Sequence, residues 1–189
     1  MSKLRQKIDS VSVSLPNQDL YEWVQCLAVL LVLCMLVFTF FFRIFEMQGN
    51  SMVPTLEQGE HVLVNRFFNE YEAGDIVVFC KASYKEEPVI KRIIAVGGQT
   101  VEIDPEAGLV LVDGVALEEN YIFEPTVNLF DYSEPVTVPE GCLFVLGDNR
   151  NNSQDSRTLA VGCVDERYLL GKVIFRLTPF SKFGAIYGW

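Results

Sequence analysis

The chain has 189 residues, half of them hydrophobic, with a formal net charge of −10 and a pI near 4.6. That length holds one ordinary domain plus an appendage, and the acidic balance leaves no basic stripe to neutralise phosphates, which excludes a nucleic-acid partner. The five cysteines (Cys26, Cys34, Cys80, Cys142, Cys163) are widely spaced and odd in number, and His61 is the one histidine. Neither a disulfide framework nor a metal site follows, no cofactor is expected, and only a single pair among Cys80, Cys142 and Cys163 stays open.

Val24 to Phe42 is a run of nineteen residues without a charge. As an α-helix it rises about 28 Å, close to the ~30 Å of a bilayer's hydrocarbon core. A cleaved secretory leader has a shorter apolar region, roughly 7–15 residues, and ends in small residues. Here Arg43-Ile44-Phe45-Glu46 follows instead. A buried core helix rarely stays apolar on every face, so the run reads as an uncleaved transmembrane anchor. Lys3, Arg5 and Lys7 precede it and only Arg43 follows closely, which places the N-terminus in the cytoplasm. Residues 1–23 are then a cytoplasmic segment, 24–42 the anchor, and 43–189 an extracytoplasmic domain that carries all the excess negative charge.

That outer domain reads as mainly β. Candidate strands are Glu60–Val64, Asp75–Cys80, Val89–Val96, Thr100–Ile103, Leu109–Val112, Val115–Leu117, Cys142–Leu146 and Lys172–Leu177. They are short, rich in Val, Ile and Phe, and separated by Gly, Pro or Asp. Asp113-Gly114 is a two-residue hairpin signal. So many strands in so few residues predict a compact barrel-like or sandwich-like domain. Val164–Leu170 reads as a short helical turn. Residues 118–140, acidic and carrying Pro125, Pro135 and Pro139, read as a surface excursion.

Three features carry chemistry. The first is Ser51, which follows Gly49 and precedes Pro54; glycine allows close backbone approach and proline stiffens the turn. A lone serine in such a place usually just turns a loop. The second is Lys91, an ammonium inside the apolar run Val89–Ile94. Burial disfavours the charged form, and a neutral lysine takes a proton from a serine hydroxyl, although a lysine in a strand more often faces solvent. Alternation sends Arg92 to the opposite face, where an acid such as Asp148 is a fitting partner. The third is the polar loop Gly147–Arg157, which follows the apolar strand Cys142–Leu146, a common location for functional groups.

Other serine chemistries fit less well. No Ser-x-x-Lys occurs in the chain, and the Ser51 segment lacks the second glycine of a nucleophile elbow. His61, beside an acidic turn, has no placed acid partner and reads as a surface residue. Asn151-Asn152-Ser153 matches a glycosylation sequon, but a glycan there would block the loop.

Taken together, these residues resemble the bacterial type I signal peptidases. Gly49-x-Ser51-Met52-x-Pro54-Thr55-Leu56 is similar to their nucleophile box, and Gly74-Asp75-Ile76-Val77-Val78-Phe79 to the next. Lys91-Arg92-Ile93-Ile94-Ala95-Val96-Gly97-Gly98 is similar to the base box, and Gly147–Arg157 to the last. The resemblance implies a serine endopeptidase of the plasma membrane that removes signal peptides from exported preproteins, cutting after an Ala-x-Ala pattern. Ser51 is then the nucleophile and Lys91 the general base. Ser153 would hydrogen-bond Lys91, Asp155 and Arg157 would form an ion pair holding the loop, and Asp148 would pair with Arg92. Ser51's backbone N–H would help bind the oxyanion. Some members carry a serine hydroxyl two positions before the nucleophile; Gly49 stands there in this chain, so a backbone group or neighbouring side chain must supply the second donor. Met52, Leu56 and Ile90 are candidates to line the substrate pocket, with the substrate bound as an extended strand. The family fold implies a small appended lobe, assigned to residues 97–140. Phe180, Phe183, Tyr187 and Trp189 suit either the lipid surface or closure of the core.

Two further readings remain: a membrane-tethered β-domain that binds partners without catalysis, and a self-cleaving Ser/Lys regulator, which would need a DNA-binding segment where this chain has its apolar run.

Overall fold

The computed structural model describes residues 18–67 and 70–186. Lys3, Arg5 and Lys7, on which the orientation expectation rests, and Tyr187 and Trp189 lie outside the described residues. Helix α1 spans Gln18–Phe41, begins with Asp19 in its first turn and has no basic residue in its last. Its side chains are exposed on every face, and its length and hydropathy are sufficient to cross a membrane.

The strands of the rest of the described chain form two antiparallel sheets. The larger contains β1 (Phe42–Glu46), β2 (His61–Asn65), β3 (Ile76–Lys81), β4 (Lys85–Val96), β9 (Cys142–Leu146), β10 (Val164–Asp165), β11 (Leu169–Thr178) and β12 (Gly184–Ala185). Their order is β1-β2-β11-β3-β4-β9-β10, with β12 paired to β11. The smaller sheet has the order β7-β6-β5-β8, built from β5 (Thr100–Asp104), β6 (Leu109–Val112), β7 (Val115–Ala116) and β8 (Val136–Thr137). The expected mainly β class holds. Asp113 and Gly114 turn between β6 and β7 with φ values of 52° and 78°, the left-handed pair that a two-residue hairpin requires.

The central strands read as continuous apolar runs because both of their faces are covered. Along β3, Ile76 and Val78 join one hydrophobic cluster, with Met47, Met52, Leu56 and Ile90. Val77 and Phe79 join another, with Ile93, Leu143 and Val145. Phe144 and Leu146 of β9 enter a third cluster shared with Val101, Ile103 and Val110 of the smaller sheet. Each such fully buried side chain contributes about 1.5–3 kcal/mol, which fixes register firmly, since a slip by one residue exchanges the two faces.

Several boundaries differ from expectation. The chain becomes β1 directly at Phe42, so the apolar run ends in a strand that pairs along its whole length with β2. Val164–Leu170 is not one helical turn. It divides into β10, a 3-10 turn at Glu166–Tyr168 and the start of β11. Residues 118–140 do run mostly without regular structure, apart from β8.

Candidate active site

Ser51 lies on the loop between β1 and β2. Gly49 takes a φ of 74°, which favours glycine, and the Val53–Pro54 peptide bond is cis. Turn hydrogen bonds run from Val53 N to Asn50 O at 3.3 Å and from Leu56 N to Met52 O at 2.8 Å. Met52 and Leu56 are fully buried in the core. They pin the loop from below and are not among the residues lining the cleft beside Ser51, whereas Ile90 is. Met52 and Leu56 point into the core while Ser51 and Val53 stay half-exposed and Pro54 is exposed.

Lys91 sits in the central strand β4 and is 3% exposed. Its Nζ lies 2.6 Å from Ser51 Oγ and 3.1 Å from the carbonyl of Ile90. Burial lowers its pKa from 10.5 to about 8; Asp155 and Asp148 oppose the drop, while Arg157 and Lys85 add to it. Ser51 and Lys91 share a cleft of about 200 Å³ with Met47, Gln48, Tyr84 and Gln154.

Arg92 goes elsewhere, as strand alternation requires. Its Nε and Nη2 bind the two oxygens of Asp148 at 2.9 and 2.7 Å, and Nη1 donates to Gly74 O at 2.8 Å. Thr55 Oγ1 donates to the same carboxylate, which ties the Ser51 loop to the polar loop after β9. Asn149 completes the link, its N–H bonding Ser51 O at 3.0 Å and its side-chain amide Asn50 O at 3.1 Å.

Asp155 and Arg157 form a fully buried two-pronged pair, both contacts 2.8 Å, and Asp155 also accepts the N–H of Gly147 at 3.1 Å. Ser153 is buried, yet its Oγ has no hydrogen-bond partner. The bond to Lys91 that the resemblance implies is not made: the amine is directed to Ser51 Oγ and Ile90 O instead. Ser153 nonetheless packs on Gly147, where a methyl group would meet Ser153 Cβ and Ser51 O, each at 2.5 Å. Asn151 has both ends of its amide engaged, accepting from Val127 N and Asn128 N and donating to Pro125 O. This disfavours the glycan reading of the sequon.

A third buried pair joins Arg150 to Glu119, an acid of the 118–140 excursion. Arg150 also donates to Thr126 Oγ1 at 2.9 Å. Tyr121 donates to Glu119 at 2.7 Å, and its ring lies 4.0 Å beneath the Arg92 guanidinium. The roles of Glu119, Tyr121 and Thr126 were not legible in the sequence. A buried arginine demands an acid, but nothing singles out Glu119 among the acids of that stretch. His61 is bonded to Thr178 at 2.9 Å and does not line the Ser51 cleft. Cys80, Cys142 and Cys163 are free thiols, and burial raises the pKa of Cys142 and Cys163. Among the described residues, no group of three or more His, Cys, Asp or Glu is placed to hold a metal ion.

The family model described as signal peptidase, peptidase S26, matches residues 20–178. This chain belongs to the signal peptidase (peptidase S26) family. It is 38% identical over 182 residues to the probable signal peptidase I-1 of Synechocystis sp., covering 90% of this chain and 89% of that protein. It is 34% identical over 176 residues to signal peptidase I of Bacillus licheniformis, covering 88% and 92%. A solved signal peptidase I from Enterococcus faecalis is 31% identical with a TM-score of 0.47, over 56% of this chain and 97% of that one. Membership makes the chain an enzyme, a hydrolase of peptide bonds, and the Ser51 cleft is where the hydrogen-bonded boxes converge.

Proposed function

We propose that this chain is a membrane-anchored serine endopeptidase that removes N-terminal signal peptides from exported preproteins, with Ser51 as nucleophile and Lys91 as general base. The observation that carries the reading is the 2.6 Å approach of a buried Lys91 amine to Ser51 Oγ at the floor of a cleft. When neutral, Nζ accepts the Ser51 hydroxyl proton as Oγ attacks the scissile carbonyl carbon. The resulting ammonium then protonates the departing amine as the C–N bond breaks, leaving an ester on Oγ. Lys91, neutral again, deprotonates a water that hydrolyses the ester. Ser51 N–H is one donor to the oxyanion. Gln48, which lines the cleft with Ser51, carries an amide suited to be the second.

The three buried ion pairs hold this geometry. Arg92–Asp148 and Arg157–Asp155 brace the loop that grips the backbone of Ser51 from behind, so the nucleophile and base are aligned before substrate arrives. A cleft of about 200 Å³ lies below the ~300–1,000 Å³ typical of ligand pockets. That supports small residues before the cut, of the Ala-x-Ala type, presented on an extended strand.

Helix α1 supports a single-pass anchor, with residues 43–189 outside the cytoplasm, residues 1–23 inside it and 97–140 a small lobe. Anchoring restricts enzyme and membrane-inserted substrate to the same surface and raises their effective concentration. Phe180 is 85% exposed, so it does not close the core; a place at the lipid surface suits it.

Purified full-length chain in detergent tests this. Ser51→Ala and Lys91→Ala should each reduce preprotein cleavage by at least ~10⁴-fold while leaving the melting curve in place. Cleavage by either variant at the wild-type rate would end the assignment. The intact mass of the chain after incubation separates a repeatedly acting peptidase from a regulator that cuts itself once.

A further inference from the structure

The position between Ser153 and Asp155 is unspecified in the motif, and here it is Gln154. It is the one exposed residue of Ser153–Arg157, so its side chain leaves the braced loop and points outward. Its amide oxygen accepts a 3.1 Å hydrogen bond from the hydroxyl of Tyr84. Tyr84 comes from the opposite side of the cleft, in the turn between β3 and β4. That turn is closed by Tyr84 N to Lys81 O at 2.8 Å, and Lys81 Nζ donates to Val161 O. The Tyr84 ring packs against the cluster of Val77, Phe79 and Ile93. The tyrosine is therefore held at its turn, at its ring and at its hydroxyl. Both bridge residues line the cleft that contains Ser51 and Lys91.

We propose that the Tyr84–Gln154 bridge sets the size limit for the substrate side chain that enters this cleft, making these two residues specificity determinants. The inference rests on the peptidase reading above and adds which side chains set its selectivity. A hydrogen bond between two separate segments closes the cleft, so removing the exposed Gln154 loosens that wall without touching the core, and removing Tyr84 takes away the wall itself together with its packing on Val77, Phe79 and Ile93. A pocket rejects each surplus methylene by about 10–200-fold at most, and a wall able to yield loses part of that discrimination.

The test uses full-length chain in detergent and two sets of peptides spanning one cleavage site. One set varies the residue immediately before the cut, and the other the residue two positions further back, each as Ala, Val or Leu. The readout is the Leu-to-Ala ratio of kcat/KM, which does not depend on how much of a variant is active. Tyr84→Ala and Gln154→Ala should each raise that ratio at least about tenfold at one of the two positions. Gln154 is exposed, so its variant keeps the test valid if the Tyr84 variant folds poorly. Ratios within about twofold of wild type in both variants, or a rise with Tyr84→Ala alone, would overturn the bridge. Wild-type chain that fails to cut the Ala peptides would overturn the peptidase reading itself, and the inference with it.

Discussion

Gly147→Ala tests whether the loop after β9 aims the nucleophile. Gly147 has no left-handed φ, so alanine there carries no backbone penalty and the whole effect is steric. The added methyl would meet Ser153 Oγ first and stand 2.5 Å from both Ser51 O and Ser153 Cβ. Ordinary contact begins roughly 1 Å further out, so both Ser153 and the Ser51 loop are pushed away, by up to about that distance. Ser153 is itself buried and backed by the Asp155–Arg157 pair, so part of the displacement falls on the Ser51 loop. A displacement of ~1 Å at a reacting atom costs about 10²-fold. Overpacking of this kind also destabilises by about 1–3 kcal/mol. The assay is kcat and KM on a preprotein, with a melting curve alongside. We expect kcat to fall about 100-fold with KM within about threefold. A folded variant with kcat within about threefold of wild type would refute the claim that this contact positions Ser51.

The pH profile of kcat/KM should rise tenfold per pH unit below about 8 and level off above, because only the neutral Lys91 amine is a base. The pKa drop from 10.5 raises the neutral fraction at pH 7 from about 0.03% to about 9%. His61→Ala should leave the profile unchanged; a limb that vanishes in that variant would contradict the assignment. Glu119→Ala strands the Arg150 guanidinium, which is fully buried, and should cost about 3–5 kcal/mol in denaturant titrations. A loss under ~1 kcal/mol would mean that the pair is not structural.

The strands that matter most for the site were legible because burial writes a strong signal. β9 and most of β3 are covered on both faces and so read as apolar runs, and the buried half of β4 does so apart from Lys91 and Arg92. β1 was hidden for a different reason: its first residue, Phe42, continues the apolar run of the helix, and its mostly exposed five residues, with Arg43 and Glu46 among them, read as the polar flank of that run. The two-residue strands β8, β10 and β12 are tertiary pairings with no local signature. At the site, Ser51, Lys91, Arg92 and Asp148 stood out as polar groups beside apolar neighbours. The burial of Met52 and Leu56 was not legible, because adjacency to a reactive residue says nothing about which way a loop side chain points. Glu119 was invisible because an acid within an acidic stretch looks solvated until a buried arginine faces it. The unbonded Ser153 hydroxyl is a matter of side-chain geometry that no spacing encodes.

The proposed catalysis depends on an uncharged amine at Lys91 near neutral pH. An NMR titration of lysine Cε and Nζ signals in full-length chain, with the Lys91 resonance assigned by its loss in Lys91→Arg, measures this directly. The inflection should fall at about 8. An inflection near the ordinary 10.5 would contradict the mechanism.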